Sequence, residues 1–301
     1  MSPIVAITII DRVIDQEAVL ALRVVDQEAN HKVDQEVYLK VDHIVDLDHN
    51  YPTDEAGYQS INMDKYYEPN EMVNGNSIIK LIGEGRYGIV YLATNERNET
   101  FVMKQLKKET LDQTREKLFY EEQILQALKS PKFPKFISKF NNENCEGYIL
   151  EYIEGKVFED LLVRDRYQFS KDEIYNIGSQ LLELIGELQD NNIVHRDIRL
   201  PNVILRENKE LALIDFGLAR IIDNERYAKE IDYWYLGDFL IYLYYSSYKE
   251  IDSAEQPWFM ELDLNLEEKT FLKKLLGIED AYQNIEEIKS QLEKIKKLNL
   301  P

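Results

Sequence analysis

The chain has 301 residues, a formal net charge of −20, 44% hydrophobic residues and 31% charged residues. This composition supports one or two globular domains with a sizeable core. It excludes non-specific nucleic-acid binding, which needs clustered Lys and Arg, and it excludes docking on an anionic membrane surface. Cys145 is the one cysteine, so no internal disulfide can form and a reducing, cytoplasmic setting is expected.

The first stretch, MSPIVAITIID, is apolar over too short a length and lacks a basic n-region, so it is not read as a signal peptide. Residues 1–70 form an acidic extension of unknown role, with the imperfect repeat RVIDQE, RVVDQE, KVDQE, KVDHIVDLD. The spacing of the repeat drifts, which excludes a regular solenoid. Its β-branched residues favour strand and its DQEA stretches favour helix, so both assignments stay open. His31, His43 and His49 lie here, and Asp46, Asp48 and Asn50 begin like a calcium loop. Tyr51 then stands where that loop requires glycine, and Gly57 where it requires a bidentate Glu. Met63 and Met72 are candidate alternative starts.

Residues 66–77, YYEPNEMVNGNS, read as a linker because Pro, Gly and Asn interrupt any period. A predicted strand, glycine-rich turn, strand, polar turn and strand follow over 78–106, then a helix over 111–129 stopped by Ser130-Pro131. GYILEYIEG (147–155) reads as a buried strand, and 170–192 as a long amphipathic helix. From about residue 230 the chain reads as mostly helical. The aromatic run 233–245 is too short for a membrane span and contains Asp238, so a buried core helix is expected.

Four stretches carry chemistry. In GEGRYGIV (83–90), Gly83, Gly85 and Gly88 let a strand-turn-strand close over phosphates with backbone N–H groups facing inward. A dinucleotide fingerprint would run from strand into helix, whereas Ile89 to Leu92 continue as strand. Lys104 lies in the otherwise apolar FVMKQL, where a charge is costly unless paired. Phosphate oxygens and a carboxylate are its expected partners. Glu121 is favoured over Glu122 by its place before Ile124-Leu125. In IVHRDIRLPNVIL (193–205), an apolar strand delivers Asp197, which can accept a hydrogen bond from an attacking hydroxyl. In the same loop Arg199 can neutralise phosphate charge and Asn202 can ligate a divalent metal. Asp215, at the end of LALID and before a glycine, is a hard oxygen ligand suited to Mg²⁺.

In this order and spacing the pieces resemble a eukaryotic-type (Hanks-type) serine/threonine protein kinase domain over about residues 75–298. The resemblance implies an α+β fold of two lobes, β-rich at about 75–150 and mainly helical at about 155–298, with ATP and Mg²⁺ between them. It implies nucleotide contacts from Gly83, Glu84, Gly85, Gly88, Val90, Val102, Lys104, Glu121, Glu151 and Ile153. Leu150 would guard the back of the adenine pocket, and Val102 stands where the family usually has alanine. Asp197, Lys104, Arg199 and Asn202 take the catalytic roles, and Asn202 and Asp215 hold metal. Arg199 resembles the Lys that serine/threonine kinases carry two residues after the catalytic Asp. Asp232 would brace the backbone of the His195-Arg196-Asp197 loop.

One departure stands out. Only LARIIDNERYAKEI (218–231) separates the DFG motif from the predicted central helix, and the A-P-E motif is absent. The arginine that normally pairs with that motif's Glu is also missing from 277–288. The segment has no Ser or Thr, only Tyr227, so activation by loop phosphorylation is not expected. Arg196 is expected to pair with Asp223, Glu225 or Glu230. The expected partners are ATP and a protein acceptor, or the chain itself, with the oligomeric state left open. A small-molecule phosphotransferase and a non-catalytic ATP-binding scaffold remain as alternatives.

Overall fold

The computed structural model describes residues 64–85, 88–142, 145–249 and 256–299. The acidic repeat and its calcium-like pattern lie outside the described residues.

Strand signals in the small lobe become a six-stranded antiparallel sheet. Its strands are β1 (Met72–Val73), β2 (Asn76–Glu84), β3 (Gly88–Thr94), β4 (Thr100–Leu106), β5 (Phe136–Asn141) and β6 (Glu146–Glu151). Their spatial order is β1-β2-β3-β4-β6-β5. Alternation sorts the two faces. Ile89, Tyr91 and Met103 are fully buried in a cluster with Ile78, Ile149 and Tyr67, while Val90, Val102 and Lys104 point the other way. Register then pairs Val90 with Lys104 and Leu92 with Val102.

The expected linker at 66–77 is replaced by structure. Met72 pairs with Ser77 and Val73 with Asn76 across a two-residue turn, Asn74-Gly75, at φ of 49° and 78°. Both turn residues need the left-handed region, which Asn and Gly tolerate best, so the residues read as breakers are hairpin residues.

Helix α1 (Leu111–Ala127) follows β4 and ends ahead of Ser130-Pro131. The large lobe begins with β7 (Lys156–Val157) and α2 (Phe158–Val163). The long helix α3 (Lys171–Asp190) opens with a reciprocal cap between Ser170 and Glu173, a pairing that contributes about 1 kcal/mol. It buries Ile174, Ile177, Leu181, Leu184, Ile185 and Leu188. Short strands β8 (Ile193–Val194), β9 (Val203–Leu205), β10 (Leu211–Leu213) and β11 (Arg220–Ile221) carry the loops of interest. Helices α4 (Glu230–Tyr245), α5 (Trp258–Glu261), α6 (Leu266–Leu275) and α7 (Ile285–Leu298) complete the lobe. The aromatic run is α4, buried against α3 and α6, with Asp238 itself buried. Among the described residues no helix is long and apolar enough to cross a membrane.

Candidate active site

Strand β4, helix α1, the loop between β8 and β9 and the end of β10 bring the predicted polar residues into two clusters. The first centres on Lys104. Its Nζ lies 3.1 Å from Glu121 Oε1 and 2.8 Å from Asp215 Oδ1. Glu121 projects from α1, which packs against the short 3-10 turn Phe216–Leu218, so the helix and the loop after β10 reach the same ammonium. Glu122 turns away to Lys139. Tyr148, opposite Lys104 on β6, donates its hydroxyl to Glu121 Oε2 at 2.6 Å. Sequence reading saw Tyr148 only as a strand residue, because its role depends on cross-strand register.

Electrostatics follow from this packing. Burial opposes the charge on Lys104, but the Asp215 and Glu121 carboxylates outweigh it and hold the amine well above its ordinary value. The Lys104 charge in turn holds Asp215 down to about 2. Asp215 sits at φ 63°, in the left-handed region that short polar side chains tolerate, and this aims its carboxylate back at Lys104.

The second cluster is the loop between β8 and β9. Asn202 donates from Nδ2 to the Asp197 carbonyl at 2.9 Å and to Asp197 Oδ2 at 2.7 Å. The Nδ2 end of the Asn202 amide is therefore the end that faces Asp197. Arg199 grips the same carboxylate with a two-pronged fork, Nε to Oδ1 and Nη2 to Oδ2. Arg199, expected to face phosphate, thus rests on Asp197. The two clusters are tied by Ile214 N donating to Asn202 O at 2.9 Å.

Asp232, at the start of α4, accepts from His195 N and Arg196 N at 2.8 Å each, which is the brace anticipated from sequence. Burial pushes this carboxyl up to about 7 against the pull of those donors. His195 is fully buried edge-on to Phe216 at 4.7 Å, and burial lowers its imidazole to about 4.

The expected ion pair of Arg196 does not form. Its guanidinium lies 4.8 Å from the Tyr227 ring centroid and donates to Leu218 O at 3.1 Å. Asp223 Oδ1 is spent on the turn itself, accepting from the N–H groups of Glu225, Arg226 and Tyr227 at 3.1, 2.9 and 2.7 Å. The short segment after the DFG motif therefore closes as one side-chain-organised turn, after β11 has paired with β8.

Of the remaining predicted nucleotide contacts, Leu150 is buried opposite Val102. Ile153 is buried with Ile204 and Ala212. Glu151 donates its N–H to Lys135 O and pairs through its side chain with Lys135. Glu84 is engaged by Tyr66 and Lys107.

The glycines test whether phosphates fit. A Cβ on Gly88 would stand 2.8 Å from the Gln105 carbonyl oxygen, so packing demands glycine there. A Cβ on Gly85 would meet nothing within 4 Å, and one on Gly83 would only touch Val90 at 4.0 Å. Protein contacts do not account for those two glycines. The space at their Cα atoms leaves room for a ligand to approach the backbone, and the polar groups of the two clusters are one ammonium, one guanidinium, one amide and carboxylates of the hard-oxygen type that Mg²⁺ prefers.

A β-rich lobe set on a helical one, with a buried lysine paired to a helix glutamate, defines the two-lobed architecture of the protein kinases. The protein kinase domain family matches residues 76–254, and the chain belongs to that family. It is 37% identical over 223 residues to "Probable serine/threonine-protein kinase YbdM" of Bacillus subtilis, covering 71% of this chain and 87% of that one. It is 26% identical over 191 residues to "Serine/threonine-protein kinase TIO" of Arabidopsis thaliana, covering 56% of this chain and 14% of that one. It is 27% identical over 162 residues to "Dual specificity protein kinase zakA" of Dictyostelium discoideum, covering 51% of this chain and 20% of that one.

Proposed function

We propose that this protein kinase transfers the γ-phosphate of ATP to a Ser or Thr hydroxyl of a protein, with Mg²⁺. The observation that carries the reading is the complete polar set: Lys104 held by Glu121 and Asp215, and Asp197 held by Asn202 and Arg199, with the two groups joined through the Ile214 N–H bond to Asn202 O. The relatedness to a kinase bearing the serine/threonine designation supports the acceptor class.

In this reading the glycine turn presents its N–H groups to the phosphates and Lys104 holds their oxygens. Asp197 accepts the proton of the acceptor hydroxyl as the new P–O bond forms and the bond to ADP breaks. Asn202 and Arg199 keep the Asp197 carboxylate in one orientation, so little reorganisation is required at the moment of transfer. Asn202 and Asp215 would hold Mg²⁺, which supplies neutralisation of phosphate charge when bound. Val90 and Val102, on the same sheet face as Lys104, line the adenine side, with Glu151 and Ile153 at the connection between lobes.

The short segment 218–231 offers little shelf for an extended peptide, which favours as second reading a small-molecule acceptor on the same site. Full-length protein incubated with Mg²⁺ and γ-labelled ATP, beside Asp197→Ala, decides between them. Label on protein that is lost in the variant supports the first reading; label confined to small molecules from cell extract supports the second. Absence of label anywhere overturns both in favour of a non-catalytic ATP-binding protein.

A further inference from the structure

The strap Asp64–Tyr67 lies just before the first hairpin, in a stretch whose sequence suggested only an extension running into a linker. Each of its four residues contacts the small lobe, and the contacts fall into two kinds. Two are anchors. Tyr67 is buried, stands edge-on to Tyr91 at 5.9 Å, donates its N–H to the Tyr91 hydroxyl at 3.3 Å, and places its own hydroxyl 3.1 Å from Cys145 Sγ. The carbonyl of Lys65 accepts from Gln105 Nε2 at 3.0 Å, and Gln105 is the fully buried neighbour of Lys104 on β4.

The other two residues reach outward from those anchors. Tyr66 donates its hydroxyl to Glu84 Oε1 at 2.8 Å, and Glu84 lies between the two glycines that packing leaves unexplained. The same oxygen accepts from Lys107 Nζ at 2.6 Å. Asp64 Oδ1 accepts from the backbone N–H of Lys108 at 3.0 Å, in the turn that feeds α1 and hence Glu121. Glu84 Oε1 is thus the meeting point of three segments: the strap, the glycine turn and the β4–α1 turn. A turn rich in glycine has little conformational preference of its own, so an external tether determines much of its average position.

We propose that Asp64–Tyr67 is a positioning strap for nucleotide binding, with Tyr66 setting the glycine turn through Glu84 and Asp64 setting the approach to α1. The proposal rests on the nucleotide reading of the site. Neither residue touches the reacting atoms; Tyr66 acts through Glu84 on the glycine turn, and Asp64 acts through Lys108 on the approach to α1.

Two measurements on the full chain test it. Tyr66→Phe and Asp64→Ala change polar groups at the edge of the lobe and spare the buried anchors, so folding is expected to survive. In Tyr66→Phe the KM for ATP is expected to rise about threefold, the size of one lost charge-assisted hydrogen bond discounted for exposure, with the acceptor KM and kcat unchanged. Asp64→Ala is expected to act similarly and Asp64→Asn, which keeps an acceptor, to restore most of the loss. In a Glu84→Ala background, Tyr66→Phe is expected to add nothing. Amide hydrogen exchange read without nucleotide is expected to quicken at residues 83–88 in Tyr66→Phe and at Lys108 in Asp64→Ala.

Unchanged exchange in both variants would overturn the strap, whether or not the enzyme turns over ATP. So would faster exchange with an unchanged KM for ATP, or a rise in acceptor KM equal to that for ATP. Failure of the nucleotide reading looks different: the wild-type chain itself neither binds nor consumes ATP. That result would reduce the strap to a structural tether and overturn its role in nucleotide binding.

Discussion

The Tyr148 hydroxyl donates to Glu121 Oε2 at 2.6 Å, so both carboxylate oxygens of Glu121 are bonded, one to Tyr148 and one to Lys104. A carboxylate fixed at both ends cannot swing off the lysine without breaking a second bond. Tyr148→Phe removes one bond from a buried charged acceptor, a loss of about 1.5–3 kcal/mol in such settings. We expect kcat/KM for ATP to fall roughly tenfold in Tyr148→Phe and at least about a hundredfold in Lys104→Met. Steady-state kinetics with varied ATP checks both, and wild-type values for Tyr148→Phe would show that Glu121 is held by Lys104 and packing alone.

Arg196 on the Tyr227 ring substitutes an aromatic face for the anionic partner expected of that arginine. Such a contact is worth about 0.5–2 kcal/mol and needs no covalent modification. Tyr227→Phe keeps the ring and is expected to retain activity within about twofold. Tyr227→Ala is expected to lose roughly tenfold in kcat, because Arg196 belongs to the loop that carries Asp197. Phosphatase treatment of purified enzyme is expected to leave its rate unchanged; an activating phosphate mapped to Tyr227 would contradict this account.

Gly85 and Gly88 make a contrast within one turn. Gly88→Ala sets a methyl 2.8 Å from the Gln105 carbonyl oxygen and is expected to cost about 1–3 kcal/mol of stability. Gly85→Ala meets no protein atom within 4 Å and is expected to leave Tm nearly unchanged while raising the KM for ATP. Thermal denaturation run beside ATP titration separates the two. Equal effects on Tm would mean that Gly85 is also a packing residue.

His195 gives the pH dependence of stability a defined sign. Burial takes its imidazole from an ordinary 6.5 down to about 4, so between those values the unfolded chain binds a proton that the native state does not. Native stability therefore rises with pH across that window and is lost as pH falls from 6.5 towards 4, by at most about 1.4 kcal/mol per pH unit. Asp232, pushed up to about 7 by burial, contributes the opposite slope between its ordinary 3.8 and 7. The His195 contribution is isolated by comparing wild type with His195→Leu, where the Asp232 slope is common to both. Urea unfolding at pH 7 and pH 4.5 is expected to show the wild type losing about 2 kcal/mol more than the variant on acidification. A pH-independent difference would place a proton or a bonding partner on His195 in the native state.

Local signals carried most of the chain's architecture. Strand residues broken by glycine-rich and polar turns placed β3 and β4, the apolar helical period placed α3, and Ser130-Pro131 marked the end of α1. The linker reading failed at Asn74-Gly75 because the same residues that break a helix also make a tight hairpin, and only pairing partners distinguish the two. The Arg196 ion pair failed because a carboxylate near in sequence, Asp223, found closer donors in its own turn.

By itself the sequence determined the family, the order of the chemical groups and the elements that carry them, since these follow from residue type and local pattern. Tertiary structure alone decided that Tyr148 backs Glu121, that Arg196 rests on Tyr227, and that Tyr66 reaches Glu84. Each of those contacts joins residues 18 to 31 positions apart whose meeting depends on strand register and lobe packing, and no local period encodes a distance across a sheet.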